Sequence, residues 1–144
     1  RILPVAGTPM DFRAGKRIGQ DLESGDPQIG MAGGYDHNFI IDRARGASQS
    51  ICAWASSDRT GISMKVYTTQ PGVQLYTGNF LDRCTAAGKG GEPFVRYGGF
   101  ALETQHYPCS PSHPEFPSTM LYADKVFRAT TTLRFFTGKQ CGRL

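Results

Sequence analysis

The sequence predicts an all-β fold, an antiparallel β-sandwich, and three observations carry the prediction. Short segments alternate apolar and polar residues, as where Ile62, Met64 and Val66 interleave with Ser63, Lys65 and Tyr67. The 18 glycines and 9 prolines cut the chain into many short pieces. Hardly any stretch keeps a helical period. At 144 residues there is room for one domain with a real core and not for two, so residues 1–144 are read as part of a single domain.

Each element follows from local chemistry. Residues 1–32 are predicted to be mostly irregular, with Asp21 to Gly30 a loop by its Gly25, Asp26 and Pro27. Gly33-Gly34 bends the backbone before Tyr35-Asp36-His37-Asn38, and Phe39-Ile40-Ile41 is a short strand. Asp42 to Gln49 is a charged turn. Ser50 to Ala55 is a strand with Ile51, Ala53 and Ala55 on one face and Cys52 and Trp54 on the other. Gly61 to Thr69 is the next strand. Pro71-Gly72 reads as a turn in which glycine supplies a positive φ, and Val73 to Tyr76 follows as a strand. Asp82 to Gly98 is a Gly/Lys-rich loop without the pattern of a phosphate cradle. Phe100-Ala101-Leu102 is a strand that ends in Glu103-Thr104-Gln105. Pro108, Pro111, Pro114 and Pro117 make 107–118 an extended surface loop. Val126 to Phe136 is predicted as the longest strand, with Phe127, Ala129, Leu133 and Phe135 facing away from Arg128 and Arg134.

Composition excludes several function classes. The formal net charge is +4, but the basic residues are scattered, without the stripe or aromatic interleaving of a nucleic-acid binder. No apolar run approaches the roughly 20 residues of a membrane span. Cys52, Cys84, Cys109 and Cys141 are widely and evenly spaced, which disfavours zinc and is read as free thiols of a reducing, cytoplasmic compartment. The chain starts Arg-Ile-Leu-Pro and runs straight into patterned sequence, so a piece of a longer protein is expected.

Glu103 is the residue that asks for a chemical reason. A carboxylate at the end of an apolar strand either faces water or is a general base, partly desolvated so that its pKa moves towards neutrality. His37 is expected to order its loop through hydrogen bonds, and His113 to be solvated. Trp54 and Tyr76 are read as core aromatics.

Taken together, several motifs resemble the aldose 1-epimerases, the galactose mutarotases. They are Gly-Thr-Pro-Met-Asp-Phe-Arg at 7–13, Gly-Tyr-Asp-His-Asn-Phe at 34–39, Thr-Thr-Gln-Pro-Gly-Val-Gln-Leu-Tyr-Thr-Gly-Asn-Phe-Leu at 68–81, Gly-Phe-Ala-Leu-Glu-Thr-Gln at 99–105 and Pro-Glu-Phe-Pro-Ser at 114–118. The resemblance implies the C-terminal part of a large antiparallel β-supersandwich. It also implies an enzyme that interconverts the anomers of free aldohexoses such as galactose and glucose, without metal or organic cofactor. In it Glu103 matches the general base, and Asp36 and Gln74 match residues that bind sugar hydroxyls. The family's catalytic acid, a histidine, belongs to an N-terminal half that this chain does not match, and that half is expected to complete the site. The chain departs from the family at Lys65, Pro108-Cys109 and Ala123-Asp124, and at Thr60-Gly61-Ile62, where an arginine is usual. A non-catalytic carbohydrate-binding or regulatory relative is the alternative.

Overall fold

The computed structural model describes residues 1–43 and 45–137. They contain six strands: β1 (Asp36–Ile40), β2 (Ser50–Ser56), β3 (Ile62–Thr68), β4 (Gly72–Tyr76), β5 (Ala101–Gln105) and β6 (Thr131–Thr137). These form two three-stranded sheets, ordered β1-β4-β5 and β2-β3-β6. The second is antiparallel throughout. In the first, Ile41 N–H donates to Pro71 O and Thr77 N–H to Tyr35 O, so β1 and β4 also run antiparallel. The all-β expectation is met.

Two differences from the predicted elements have physical causes. A short helix, α1 (Pro27–Ala32), replaces part of the predicted 21–30 loop. The Asp26 carboxylate accepts from the Gln28 N–H and Pro27 opens the first turn, so the same Asp-Pro pair that signals a turn also starts a helix. The last strand begins at Thr131, five residues later than predicted. Its partner β3 supplies pairs only from Thr68↔Thr131 to Ile62↔Thr137. Upstream of that, Thr130 O still accepts from the Thr69 N–H at 3.0 Å, but Val126 and Phe127 are left exposed.

Two smaller corrections concern backbone geometry. The predicted two-faced pattern of β2 is interrupted, because pairing with β3 slips between Ile51 and Ala53 in a β-bulge. Gly72 has no positive φ; it is glycine for want of space. A Cβ there would sit 2.7 Å from Asn38 Oδ1 and 3.1 Å from Tyr107 Cδ1.

The chain forms two compact units. Residues 1–37 with 75–101 make the first, and residues 38–74 with those from 102 onward make the second. The first is centred on Tyr35, which is fully buried. Its hydroxyl donates to Pro9 O at 2.8 Å, and its ring meets Phe12 edge-on at 5.2 Å. Beside it, buried Asn79 donates to Ala32 O and Tyr35 O and accepts from the Thr77 hydroxyl at 2.6 Å. Gly34, at φ 144°, runs against this amide so closely that a Cβ would lie 2.2 Å from Asn79 Oδ1.

The second unit contains the β2-β3-β6 sheet around buried Val66. A row of hydroxyls crosses it. Thr68 Oγ1 lies 3.2 Å from Thr131 Oγ1, which lies 2.6 Å from Thr104 Oγ1 of β5. Arg43 ties the start of the β3–β4 connection by donating to Gln70 O at 2.9 Å. Cys52 is half-buried, and burial pushes its thiol up to about 11. Cys52, Cys84 and Cys109 are free thiols, while Cys141 lies outside the described residues. No helix among the described residues is long and apolar enough to cross a membrane.

Candidate functional site

The three residues singled out in the sequence fall on the three strands of one sheet: Asp36 opens β1, Gln74 is central in β4 and Glu103 is central in β5. Successive side chains of a strand point to opposite faces, so two contacts fix which face each presents. Gln105 Nε2 donates to Gln74 Oε1 at 3.0 Å. That contact puts 103 and 105 on the same side of the sheet as 74. The opposite face of β5 carries Thr104, whose hydroxyl meets Thr131 of the other sheet. Asn38 of β1 crowds Gly72 of β4, and Gly72 shares its face with Gln74.

Within the second unit, then, one face carries Asn38, Gln74, Glu103 and Gln105, a row of two amides and a carboxylate beside a third amide. The other face turns Val73, Leu102 and Thr104 inward; Val73 is buried and Thr104 half-buried. The strand pattern produces this separation directly, because apolar or hydroxyl residues alternate with amide and acid residues along both β4 and β5. The structure joins Gln74 to Gln105 by a hydrogen bond. Gln105 was part of a recognised motif, yet it carried no predicted role; only its hydrogen bond to Gln74 reveals it.

Glu103 is exposed. The partial desolvation expected of a base is therefore not present around it among the described residues. The reason is its position: β5 is an edge strand of its sheet, and the side chain projects from the face opposite the one that packs on Thr131.

Asp36 belongs to the first unit and is also exposed. Its backbone N–H donates to Nδ1 of the neighbouring His37 at 3.0 Å. The imidazole faces Tyr35 edge-on at 6.5 Å. Burial holds its pKa below the ordinary histidine value, with the Asp36 charge opposing. An Nδ1 that accepts a hydrogen bond must be unprotonated, so geometry and pKa agree. His37 was expected to order a loop; it lies instead within β1, and its ring nitrogen bonds the backbone of the adjacent Asp36.

The other histidines are bound to neighbours. The His106 ring lies 6.3 Å from Phe127. His113 was expected to be merely solvated; instead its Nδ1 sits 2.9 Å from Glu115 Oε1 and its ring stacks on Phe116 at 4.6 Å. The same contact with His113 helps hold the Glu115 carboxyl below its ordinary value, after the larger contribution of a backbone N–H. Trp54 and Tyr76 are half-buried, and the Tyr76 hydroxyl accepts from Phe80 N–H at 3.2 Å.

Concavities lie elsewhere. A depression of about 430 Å³ in the first unit is lined by Gly19, Gln20, Leu22, Glu23, Arg96 and Tyr97. A smaller one of about 220 Å³ lies over Gln49, Tyr67, Thr132 and Arg134 in the second. Neither includes Glu103 or Gln74. Among the described residues no group of three or more His, Cys, Asp or Glu is disposed to hold a metal ion.

Chemically, the polar face offers a carboxylate that can exchange a proton with a hydroxyl. It offers amides that can both donate and accept, which suits a ligand rich in hydroxyls.

The family model for aldose 1-epimerase matches residues 1–134. Galactose mutarotase of Rattus norvegicus is 40% identical over 134 residues, covering 93% of this chain and 37% of the relative. Aldose 1-epimerase of Escherichia coli (strain K12) is 41% identical over 113 residues, 78% of this chain and 32% of the relative. A solved GalM/aldose epimerase homologue from C. elegans superposes with a TM-score of 0.79 at 24% identity, covering 93% of this chain and 38% of that one. This likeness extends the β fold described above to a known architecture. The chain thus spans about a third of the length of the relatives it matches.

Proposed function

The chain belongs to the aldose 1-epimerase family, and from that premise we propose that its protein interconverts the α and β anomers of free aldohexoses such as galactose and glucose. Residues 1–144 are then the C-terminal part of one such domain. The observation that carries the reading is the polar face of the second unit, where Glu103 projects from the same side of the sheet as the Gln74–Gln105 amide pair.

Anomer exchange is a proton relay. A base takes the proton from the C1 hydroxyl as an acid delivers one to the ring oxygen. The C1–ring oxygen bond breaks and the C1 oxygen becomes the aldehyde carbonyl. Rotation about C1–C2 presents the other carbonyl face. The C5 hydroxyl then adds back, with the two protein groups exchanging roles. No electron changes hands, and the resemblance implies neither metal nor organic cofactor. Glu103 is the base, and Asp36 and Gln74 bind sugar hydroxyls. The acid is assigned to a histidine in the length that the relatives have and this chain does not match. That length also supplies the cover that desolvates Glu103 and sharpens its basicity. The free thiols suit a cytoplasmic protein. A non-catalytic sugar-binding relative is the second reading, and the exposure of Glu103 favours it.

Polarimetry separates the two. Freshly dissolved α-D-galactose is followed with the chain alone, with the chain completed by the upstream portion of a mutarotase, and with the Glu103→Gln form of the completed protein. The expected result is no acceleration over buffer by the chain, acceleration by the completed protein, and loss of about 10²–10⁴-fold in the variant. A completed, folded protein that binds galactose and leaves the rate at the buffer value sinks the enzymatic reading.

A further inference from the structure

We propose that Gln105 is a positioning residue for Gln74, holding its amide in one orientation so that a sugar hydroxyl meets a prearranged partner. The inference rests on the epimerase reading above and adds a residue to it.

The argument starts from the amide itself. The two ends of a glutamine side chain have nearly the same shape and opposite hydrogen-bonding character. Three freely rotating bonds separate them from the backbone. A glutamine that must present a chosen end to a ligand needs something to choose it. Gln74 has that partner: Gln105 Nε2 donates to its Oε1 at 3.0 Å in a part-buried setting. The carbonyl of Gln74 is thereby committed to β5. Both side chains are half-buried, so the contact competes less with water than an exposed one.

Placement ties the pair to chemistry. Gln105 follows Glu103 by two residues on one strand, so the two share a face about 6.6 Å apart along it. Thr104 between them is anchored on the opposite face by the Thr131 hydroxyl at 2.6 Å. The backbone that carries Glu103 and Gln105 is therefore fixed from behind. Gln105 acts at the front, as the strut between the base-bearing strand and the sugar-binding glutamine.

Immobilising a rotamer-rich side chain at the moment of binding costs affinity, and a preformed hydrogen bond removes that cost beforehand. Removing the strut should weaken sugar binding without touching the proton relay. The completed protein is assayed with galactose as wild type, Gln105→Met, Gln74→Ala and the double variant. Gln105→Met keeps the length and loses the donor. It is expected to raise KM about five-fold with kcat within two-fold of wild type. In the Gln74→Ala background the same change should add nothing, because Gln105 acts only through Gln74.

An equal rise in KM in both backgrounds, or a fall in kcat at constant KM, overturns the inference. Side-chain amide NMR of the 144-residue chain gives a readout that does not need turnover. The Gln105 NH₂ signals should move on Gln74→Ala, and signals that stay put overturn the inference even where Gln105→Met fails to fold. A completed wild type that neither turns over nor binds galactose ends the epimerase reading and this one with it. A responsive wild type with an unaltered Gln105→Met ends this one alone.

Discussion

Tyr35 and Asn79 in the first unit and Glu103 and Gln105 in the second all come from family-resembling motifs, yet they are used in opposite ways. In the first unit the polar groups are consumed. Every polar atom of the Asn79 amide has a partner, the Tyr35 hydroxyl has one, and both side chains are buried. In the second unit the polar groups are presented on a strand face, half-buried or exposed, with hydrogen bonds among themselves. The comparison teaches that a motif match mixes two kinds of residue: those that hold the backbone and those that meet a ligand. Burial and saturation of hydrogen bonds distinguish them.

That comparison can be broken by substitution, and the largest effect should fall on the consumed side. Gly34→Ala forces a Cβ to 2.2 Å from Asn79 Oδ1 at a φ that alanine rarely adopts. A loss of more than about 3 kcal/mol is expected, read as a collapse of the urea midpoint. Asn79→Leu should cost about 2 kcal/mol, because it removes the buried amide's hydrogen bonds to Ala32 O, Tyr35 O and the Thr77 hydroxyl together; the same urea titration measures it.

A pH titration sharpens the contrast at the boundary of the first motif. Burial depresses the pKa of His37 in the folded state, so the unfolded chain takes up the proton first as pH falls. Its contribution to stability is therefore complete above about pH 6.5 and declines below it. Urea midpoints at pH 7.5 and 5.5 should differ for the wild type, and the difference should shrink in His37→Gln. An unchanged difference would assign the acid sensitivity to other groups. The smallest effect is expected on the presented side: Glu103→Gln should leave stability within about 0.5 kcal/mol, since the side chain is exposed. A larger loss would move Glu103 into the first class.

Much of this was legible in the sequence because strand alternation is a local signal. A strand was predicted at or overlapping each of the six, and β3, with Ile62, Met64 and Val66 against Ser63, Lys65 and Tyr67, nearly to its ends, whereas β1 begins three residues before the predicted Phe39 and β5 runs on through Glu103 to Gln105, so that Glu103 is central in its strand rather than at its end. What stayed hidden depends on partners. The start of β6 is set by the length of β3, and the bulge at Cys52 by the register of β2 on β3. Gly72 reads in the sequence as a turn glycine and is in fact a contact glycine, because Asn38, far away in sequence, decides it. Helix α1 is six residues long, too short for any periodicity to register. The candidate site divides likewise. Glu103 stood out as an acid ending an apolar strand, whereas Asp36 and Gln74 came only through the resemblance. Gln105 needed the contact with Gln74 across β4 and β5 before it had a reason.

The division of the chain into residues 1–37 with 75–101 and 38–74 with 102 onward has a kinetic consequence. Neither unit is a continuous stretch, so no nascent segment of fewer than about 100 residues contains everything either unit needs. Its defining contacts, Thr77 with Tyr35 and Thr131 with Thr68, close loops of tens of residues before they repay the entropy. The chain should therefore fold slowly, and late on the ribosome, exposing β3 and its neighbours to other unfinished chains until β6 has emerged.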